Sequence, residues 1–386
     1  MIKSSIHHLK RFYPACFGRS FASKARVNTA TPTLQEATAD WSGLPPVRLR
    51  GRRYLVGSDS LSVPEFLQPP REGYPPVYVP AGRGDFSPED WAVAARGVAR
   101  EFVDEAGVGA VLFRDLPLRT ASEFSRFVNN LSLKPMSYEG GAAKRDNVED
   151  NVDTASSEHH AMSLEPHNEM SYTNYYPEKI IFYCQQPAGP GQGGETVMVD
   201  VRKVLRKLDS AVVGKFRKLG IRYYRYMPER GDFFHGYNSW KETFRTDSRD
   251  DVERYLTSRG MTWQWGDDGS VSWWYNLPAM TRYKGEWLWF NQANLNNADF
   301  ITAHPDYDPT KPFPPHRCPF NSQYGDGSEI EPEVLQHIRD VTWQSAVGFQ
   351  MRSRDVLMLN NMYIQHGRLG FTGERRLLVY LAESNA

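Results

Sequence analysis

DVLMLNNMYIQHGRLGFTGERRLLVYL, residues 355–381, contains two apolar runs with polar residues between them. The runs consist almost entirely of Val, Leu, Met and Tyr, a composition typical of β-strands that are buried on both faces. We therefore predict strands at Asp355–Leu359 and Arg375–Leu381. One histidine, His366, lies between the two predicted strands and is a candidate for a functional role in the core of the fold.

The rest of the chain also favours short strands. They are predicted at Val108–Phe113, Lys179–Gln185, Glu195–Val199, Ile221–Met227, Met261–Trp265, Val271–Tyr275 and Glu286–Phe290, mostly between Gly, Pro and Asn clusters. Helices are predicted at Ser87–Glu105, Ala121–Leu131, Val201–Leu208, Arg249–Arg259 and Pro332–Val347. Many short strands with few helices indicate a mainly β sandwich or jelly-roll barrel, with flanking helices packed on its outside.

Composition excludes several classes of function. The 46 basic and 46 acidic side chains balance, which gives no electrostatic reason to bind nucleic acid or an anionic membrane surface. No apolar run approaches the roughly 20 residues that span a bilayer. Three widely spaced cysteines favour neither a disulfide scaffold nor a structural zinc site. We therefore expect the partner to be a small molecule; the oligomeric state is left open.

The N-terminal region differs from the rest of the chain. Residues 1–35 contain basic and serine residues but no acid, a composition typical of a mitochondrial or plastid transit peptide, of which the mitochondrial one is favoured. An ordinary basic tail remains the alternative. Residues 36–84 are rich in proline and are predicted to lead into a single domain at residues 85–386.

A possible metal site begins at Leu164-Glu-Pro-His-Asn-Glu-Met170, where His167 and Glu169 are two residues apart. In extended backbone such residues point to the same side and can reach one ion. The motif alone is weak, because composition predicts about one His-x-Asp/Glu by chance. The second occurrence, His304-Pro-Asp306, lies among Pro, Asp and Tyr residues and is predicted to be a surface loop.

His366 can supply a third ligand to this site. Two histidines and one carboxylate occupy one face of an octahedral iron and leave positions open for other ligands. The neighbouring Arg375 and Arg376 support this interpretation, because a buried charge without a partner is costly. A bound dicarboxylate would provide that partner through two-pronged contacts with guanidinium.

Together these motifs resemble the TauD/TfdA, clavaminate synthase-like branch of the 2-oxoglutarate-dependent dioxygenases. The resemblance rests on the ordered set Gly109–Asp115, His167-Asn-Glu169, Gly193-Gly-Glu-Thr196, Trp289-Phe-Asn-Gln292, Tyr324-Gly-Asp-Gly327, His366 and Arg375-Arg376. It covers about residues 85 to 384. The resemblance implies a double-stranded β-helix fold, iron(II) held by His167, Glu169 and His366, and the co-substrates 2-oxoglutarate and O2.

The resemblance also implies residues for 2-oxoglutarate. Thr196 is expected to donate its hydroxyl to a carboxylate of the keto acid. Relatives use the second arginine of such a pair, so Arg376 is expected to face the pocket and Arg375 the outside. Two positions depart from the common pattern. Glu169 stands where many relatives have aspartate, and Tyr380 stands where several have a second arginine.

Two alternative functions remain at this stage. A cupin-like isomerase or lyase could use the same metal ligands, but such an enzyme needs no keto-acid site. A barrel without activity could also bind a metal, but such a protein seldom keeps all its metal ligands.

Six tryptophans could form a cage for a cationic substrate, although ordinary sheet packing is favoured; they are Trp263, Trp265, Trp273, Trp274, Trp287 and Trp289. The leading prediction is hydroxylation or desaturation of a small molecule such as an amino acid or its derivative.

Overall fold

The computed structural model describes residues 31–37, 45–70, 74–82, 84–138, 145–156, 158–230 and 239–383. Residues from Pro32 to Ala386 belong to one compact unit. Nearly all of the predicted targeting segment, residues 1–35, lies outside the described ranges. Among the described residues, no helix is long and apolar enough to cross a membrane.

The chain contains eighteen strands and eight α-helices within its described parts. The strands are β1 (Leu34–Glu36), β2 (Val77–Pro80), β3 (Ala110–Phe113), β4 (Asn147–Glu149), β5 (Val152–Thr154), β6 (Leu164–His167), β7 (Lys179–Gln186), β8 (Thr196–Asp200), β9 (Ile221–Met227), β10 (Thr262–Trp265), β11 (Val271–Leu277), β12 (Met280–Tyr283), β13 (Glu286–Trp289), β14 (Phe320–Tyr324), β15 (Ala346–Phe349), β16 (Val356–Asn360), β17 (Ile364–Arg368) and β18 (Arg376–Ala382). The helices are α1 (Pro88–Ala99), α2 (Ala121–Asn129), α3 (Val201–Lys207), α4 (Ser210–Leu219), α5 (Trp240–Phe244), α6 (Arg249–Ser258), α7 (Ala298–Thr302) and α8 (Pro332–Gln344).

Two sheets form the barrel. The larger has the strand order β1-β2-β3-β16-β7-β18-β5-β4, and the smaller has the order β15-β8-β17-β6. Apolar side chains of both sheets belong to one core, which includes Phe182 on β7, Val197 on β8, Leu357 on β16 and Leu377 on β18. Two facing sheets around one core, in which all pairs of strands but the parallel pair β2–β3 are antiparallel, confirm the predicted jelly-roll, double-stranded β-helix architecture.

Helices α1 and α2 cover the outer face of the larger sheet. Their starts follow from the sequence, because Ser87 and Thr120 each form a capping box with the acidic residue three positions later. Trp91 and Phe124 of these helices pack with Tyr183 and Tyr380 of the sheet in a second core. A strand between two cores is apolar on both faces, which explains the continuous apolar runs in the sequence.

A third sheet, of order β10-β11-β9-β14, stands beside the barrel. It carries four of the six tryptophans considered for a cage, and Trp263, Trp265 and Trp273 pack against the apolar face of α6. Trp287 on β13 is exposed, and Trp289 is buried beside Phe216. The six tryptophans are thus distributed among packed sheets and do not form a cage. Sheet packing was the interpretation that the sequence favoured.

Candidate metal and co-substrate site

Strands β6 and β17 bring the two predicted histidine ligands together. His167 and His366 are paired across the antiparallel ladder, with their ring centroids 4.4 Å apart. Glu169 follows β6 directly, and its Oε2 lies 3.4 Å from Nε2 of His366. The ligand atoms of the three residues lie within 4.8 Å of one another. Within the described residues this is the one group of His, Cys, Asp or Glu side chains placed to hold an ion.

Hydrogen bonds fix the orientation of His167. Its Nδ1 lies 2.9 Å from the carbonyl oxygen of Glu165, which leaves Nε2 to face the site. The Glu165 side chain is buried and accepts two hydrogen bonds, each of 3.1 Å, from Nε of Arg339 on α8. Arg339 also forms a two-pronged pair with Asp299 on α7. A buried charge network therefore supports the strand that carries the first histidine.

Asn361 holds the backbone of Glu169 on both sides. Its Oδ1 accepts a 2.6 Å hydrogen bond from the Glu169 N–H, and its Nδ2 donates to the Glu169 carbonyl at 3.0 Å. The same Nδ2 donates to the carbonyl of Pro177 at 2.8 Å. Asn361 is fully buried and directly precedes the segment that leads into β17. This one side chain therefore ties the carboxylate ligand to the strand of the second histidine.

The electrostatics keep His167 and Glu169 in the forms that bind metal. Burial lowers the pKa of His167 to about 4, and the adjacent His366 acts in the same direction. Burial alone would raise the pKa of Glu169, but Arg145 and His366 outweigh it and hold that pKa well below its usual range. At neutral pH His167 is therefore neutral and Glu169 is ionised, as ligation requires.

This donor set fits iron(II). Two imidazole nitrogens and one carboxylate oxygen converge from adjacent backbone elements, as in facial sites that leave several metal positions open. The group opens into a cavity of about 120 Å³. Its walls combine apolar and charged side chains, including Leu164, Phe182, Phe300, Phe320, Thr196, Arg145, Arg368 and Arg375.

The arginine pair is placed in the reverse of the predicted arrangement. Arg375 lines the cavity and donates from Nε to the carbonyl oxygen of Gly194 at 3.1 Å, whereas Arg376 is exposed. Leu377 packs in the core between the sheets, and Tyr380 packs under the outer helices. The predicted alternation along the strand is correct, but Tyr380 does not face the pocket. The assignment of Arg376 to the pocket is therefore wrong.

The glycine-rich segment before β8 explains how Arg375 reaches the cavity. A Cβ at Gly194 would lie 2.9 Å from Cδ of Arg375, closer than side-chain atoms approach. Gly194 also has φ of +77°, which favours glycine. Thr196, two residues later, is buried and lines the same cavity, as the sequence predicted. The Gly193-Gly-Glu-Thr196 motif thus makes room for the Arg375 side chain and supplies the Thr196 side chain to the same cavity.

Arg368 was not among the predicted site residues. It lies two positions after His366 on β17, pairs with Thr196 across the ladder and lines the cavity. Its two terminal nitrogens donate to the carbonyl oxygens of His160 and His159 at 3.0 and 3.3 Å. Burial and the neighbouring Arg375 lower its pKa to about 9. Recognition of residues 364–368 as a strand would have placed it beside the ligand by simple alternation.

The second His-x-Asp motif does not form a metal site. His304 lies in a turn after α7, as predicted, but its side chain is buried, contrary to the expected surface position. Its Nδ1 accepts a hydrogen bond from the N–H of Asp306, and its ring contacts that of His159. The motif therefore closes a turn with its own backbone.

Comparison with known proteins identifies the family. The model of the taurine catabolism dioxygenase TauD, TfdA family matches residues 72–381. The chain belongs to the TauD/TfdA family. The metal-ligand candidates, Thr196 and Arg375 all lie within the matched region. Membership makes this protein a dioxygenase-class enzyme, and it agrees with the iron(II) and 2-oxoglutarate that the sequence motifs implied.

Curated relatives and a solved structure match most of the chain. The dapdiamide synthesis protein DdaC of Enterobacter agglomerans is 30% identical over 278 residues, which are 71% of this chain and 82% of that protein. A clavaminate synthase-like protein of Arabidopsis thaliana is 26% identical over 282 residues, with the same shares covered. The crystal structure of PvcB from Pseudomonas aeruginosa is 16% identical, with a TM-score of 0.42, and the match covers 93% of this chain and 94% of that one.

Proposed function

We propose that this protein uses iron(II), 2-oxoglutarate and O2 to hydroxylate or desaturate a small molecule such as an amino acid or an amino-acid derivative. One observation carries the proposal. The His167–Glu169–His366 group shares a single buried cavity with Thr196 and Arg375, so ligands for a metal and contacts for a dicarboxylate lie side by side. An isomerase or lyase on the same barrel would not need the contacts for a dicarboxylate.

Iron(II) held by the three ligands supplies the redox chemistry that couples loss of carbon dioxide from 2-oxoglutarate to oxidation of a substrate C–H bond. For hydroxylation, 2-oxoglutarate, O2 and substrate give succinate, carbon dioxide and an alcohol, so that succinate and the alcohol each receive one oxygen atom of O2. In desaturation the second oxygen atom leaves as water.

The chain's own residues bind and orient the reactants. Arg375 uses Nε for Gly194, so its terminal nitrogens are left for the distal carboxylate of 2-oxoglutarate. Although burial lowers the pKa of Arg375 to about 10, its side chain remains charged at neutral pH. Thr196 donates its hydroxyl to the same carboxylate, and Arg368 adds a second positive charge nearby.

Apolar side chains around the metal ligands keep water away from the reaction. The Phe182 ring centroid lies 5.0 Å from that of His366, and Leu164, Phe300 and Phe320 form further walls of the cavity. In such a dry site the charge contacts that orient 2-oxoglutarate are stronger than in water. Exclusion of water also directs the oxidation to the bound substrate rather than to solvent.

The test is formation of succinate from 2-oxoglutarate. The protein is loaded with iron(II) without oxygen, mixed with 2-oxoglutarate and a panel of amino acids and derivatives, and then exposed to air. We expect succinate to require iron, 2-oxoglutarate and O2 together, and to increase with at least one compound of the panel. A fully iron-loaded protein that forms no succinate under any of these conditions would contradict the proposed function.

A further inference from the structure

Arg145 is a buried cation beside the metal-ligand candidates, and the proposed function assigns it no role. Its side chain is only 6% exposed and lines the metal cavity. Its Nη2 lies 2.9 Å from Oε2 of Glu169, and its guanidinium lies 4.1 Å above the ring of Tyr138. Nε and Nη1 are buried and have no hydrogen-bond partner among the described residues. Two of the three guanidinium nitrogens are thus left without the acceptors that buried donors need.

Arg145 and Arg368 have different neighbours in the cavity. On β17, Arg368 pairs with Leu164 of β6, and His366 pairs with His167. Arg368 thus lies on the Leu164 side of the histidine pair, two residues along β17 from His366. Strand β6 ends at His167, and Glu169 follows in the next turn, where it contacts Arg145. We call the part of the cavity around Arg368 and Thr196 its Arg368–Thr196 end, and the part around Arg145 and Glu169 its Arg145 end.

The charge at the Arg145 end is incompletely balanced once a metal binds. Burial opposes the positive charge of Arg145, and Glu169 is its ion-pair partner within the described part of the chain. A divalent metal on Glu169 would share that carboxylate and repel the guanidinium. A second anion beside Arg145 would restore the balance. A planar carboxylate fits best, because it can accept two parallel hydrogen bonds from one edge of a guanidinium.

We propose that Arg145 binds a carboxylate of the substrate that is oxidised. The substrate is then a carboxylic acid whose acid group lies beside Glu169, while 2-oxoglutarate is held by Arg375 and Thr196 at the Arg368–Thr196 end. This assignment rests on the proposed function and narrows its substrate class. It explains why one cavity has cationic side chains at both ends, since one keto acid and one substrate acid each need a partner.

The first experiment compares acids with their neutral derivatives. Free carboxylic acids, including amino acids, and the matching primary amides are tested for stimulation of succinate formation by the wild-type protein. We expect acids to stimulate and the matching amides to be at least about tenfold weaker, since an amide loses the charge-assisted contact. Equal stimulation by amides, or stimulation by neutral compounds alone, would overturn the proposal.

The second experiment uses Arg145→Gln and Arg145→Lys, with Arg376→Gln as a matched control on an exposed arginine. The Michaelis constants for the stimulating acid and for the keto-acid co-substrate are measured separately. We expect Arg145→Gln to raise the constant for the acid by about ten- to a hundredfold, and Arg145→Lys by less, with the constant for the co-substrate changed less than about threefold. A larger effect on the co-substrate constant than on the acid constant would assign Arg145 to the keto acid and overturn the proposal.

A third measurement separates this proposal from the proposed function. The same acids and amides are titrated calorimetrically into manganese(II)-loaded wild-type and Arg145→Gln protein containing 2-oxoglutarate, so that binding is measured without turnover. Manganese content is determined for each variant, since Arg145 contacts a metal ligand. Binding of acids that is lost in Arg145→Gln supports the proposal even if the wild-type protein forms no succinate. If no acid binds, or if both proteins bind acids equally, the proposal is wrong.

Discussion

Arg375→Lys tests whether the cavity-lining arginine holds 2-oxoglutarate. Arg375 performs two tasks at once, because its Nε donates to Gly194 and its terminal nitrogens remain for a ligand in the cavity. A lysine ammonium is a single point charge and cannot reproduce the fork. The substitution keeps a positive charge in the cavity, so any effect reports on hydrogen-bond geometry more than on charge.

The expected magnitude follows from the contacts that are lost. Lysine would replace a two-pronged contact by a single one, which removes one charge-assisted hydrogen bond worth about 1.5–3 kcal/mol. That free energy corresponds to a dissociation constant for 2-oxoglutarate about ten to 150 times higher. Metal binding should persist, because no metal-ligand candidate contacts Arg375 among the hydrogen bonds of the described residues.

The assay is calorimetric titration of 2-oxoglutarate into manganese(II)-loaded protein, which avoids turnover. Arg376→Lys is the matched control, because Arg376 is the neighbouring residue and is exposed. We expect its dissociation constant to stay within about twofold of the wild-type value, as for most surface substitutions. A strong loss of affinity in Arg376→Lys with little change in Arg375→Lys would refute the assignment derived from the structure.

Three further predictions concern the supports of the site and the N-terminal segment. Asn361→Ala should weaken metal binding by about ten- to a hundredfold, because it frees the Glu169 backbone, whereas Asn276→Ala, which removes a hydrogen bond to the Gly325 carbonyl away from the site, should leave the metal affinity unchanged in the same titration. Arg339→Met should lower the free energy of unfolding in urea by about 3–5 kcal/mol, because Glu165 is left as an unpaired buried charge; a double variant with Glu165→Gln should recover part of the loss. We propose that residues 1–35 direct import into mitochondria, and a fluorescent protein carrying them that stays diffuse in the cytosol would contradict this.

Much of the barrel could be predicted because its central strands are apolar on both faces. Strands β7 and β16 occupy the predicted positions to within one residue, and the capping residues Ser87 and Thr120 mark the starts of the two covering helices. The metal-ligand candidates were also predictable. Ordered motifs across the chain singled out His167, Glu169 and His366 although the short motif around His167 is weak alone.

Other features depend on tertiary contacts that the sequence does not show. Strand β17 carries the polar side chains of His366 and Arg368 because it lines the cavity, so its sequence lacks the apolar alternation that predicts a strand. The helix predicted to reach Val347 ends at Gln344, since Ala346–Phe349 pairs with β8 as a strand. In both cases the sheet partner decides the local structure.

The two arginines illustrate a limit of period-two reasoning. The pattern correctly places Arg375 and Arg376 on opposite faces of their strand. Both faces are apolar, however, because one belongs to the core between the sheets and the other to the core under the helices. Only the arrangement of the two cores shows which face meets the cavity. Arg145 gave no signal at all, since a lone arginine in a loop has no periodic pattern.

The central claim is that His167, Glu169 and His366 together bind the metal, and direct metal titration tests it. Iron(II) is titrated without oxygen into the wild-type protein, into the alanine variant of each ligand, and into His304→Ala as a control for loss of another buried histidine. We predict stoichiometric binding by wild-type and His304→Ala protein, no stoichiometric binding by the two histidine-ligand variants, and weakened binding by Glu169→Ala, with all variants folded by circular dichroism. Wild-type affinity in all three ligand variants would contradict the account.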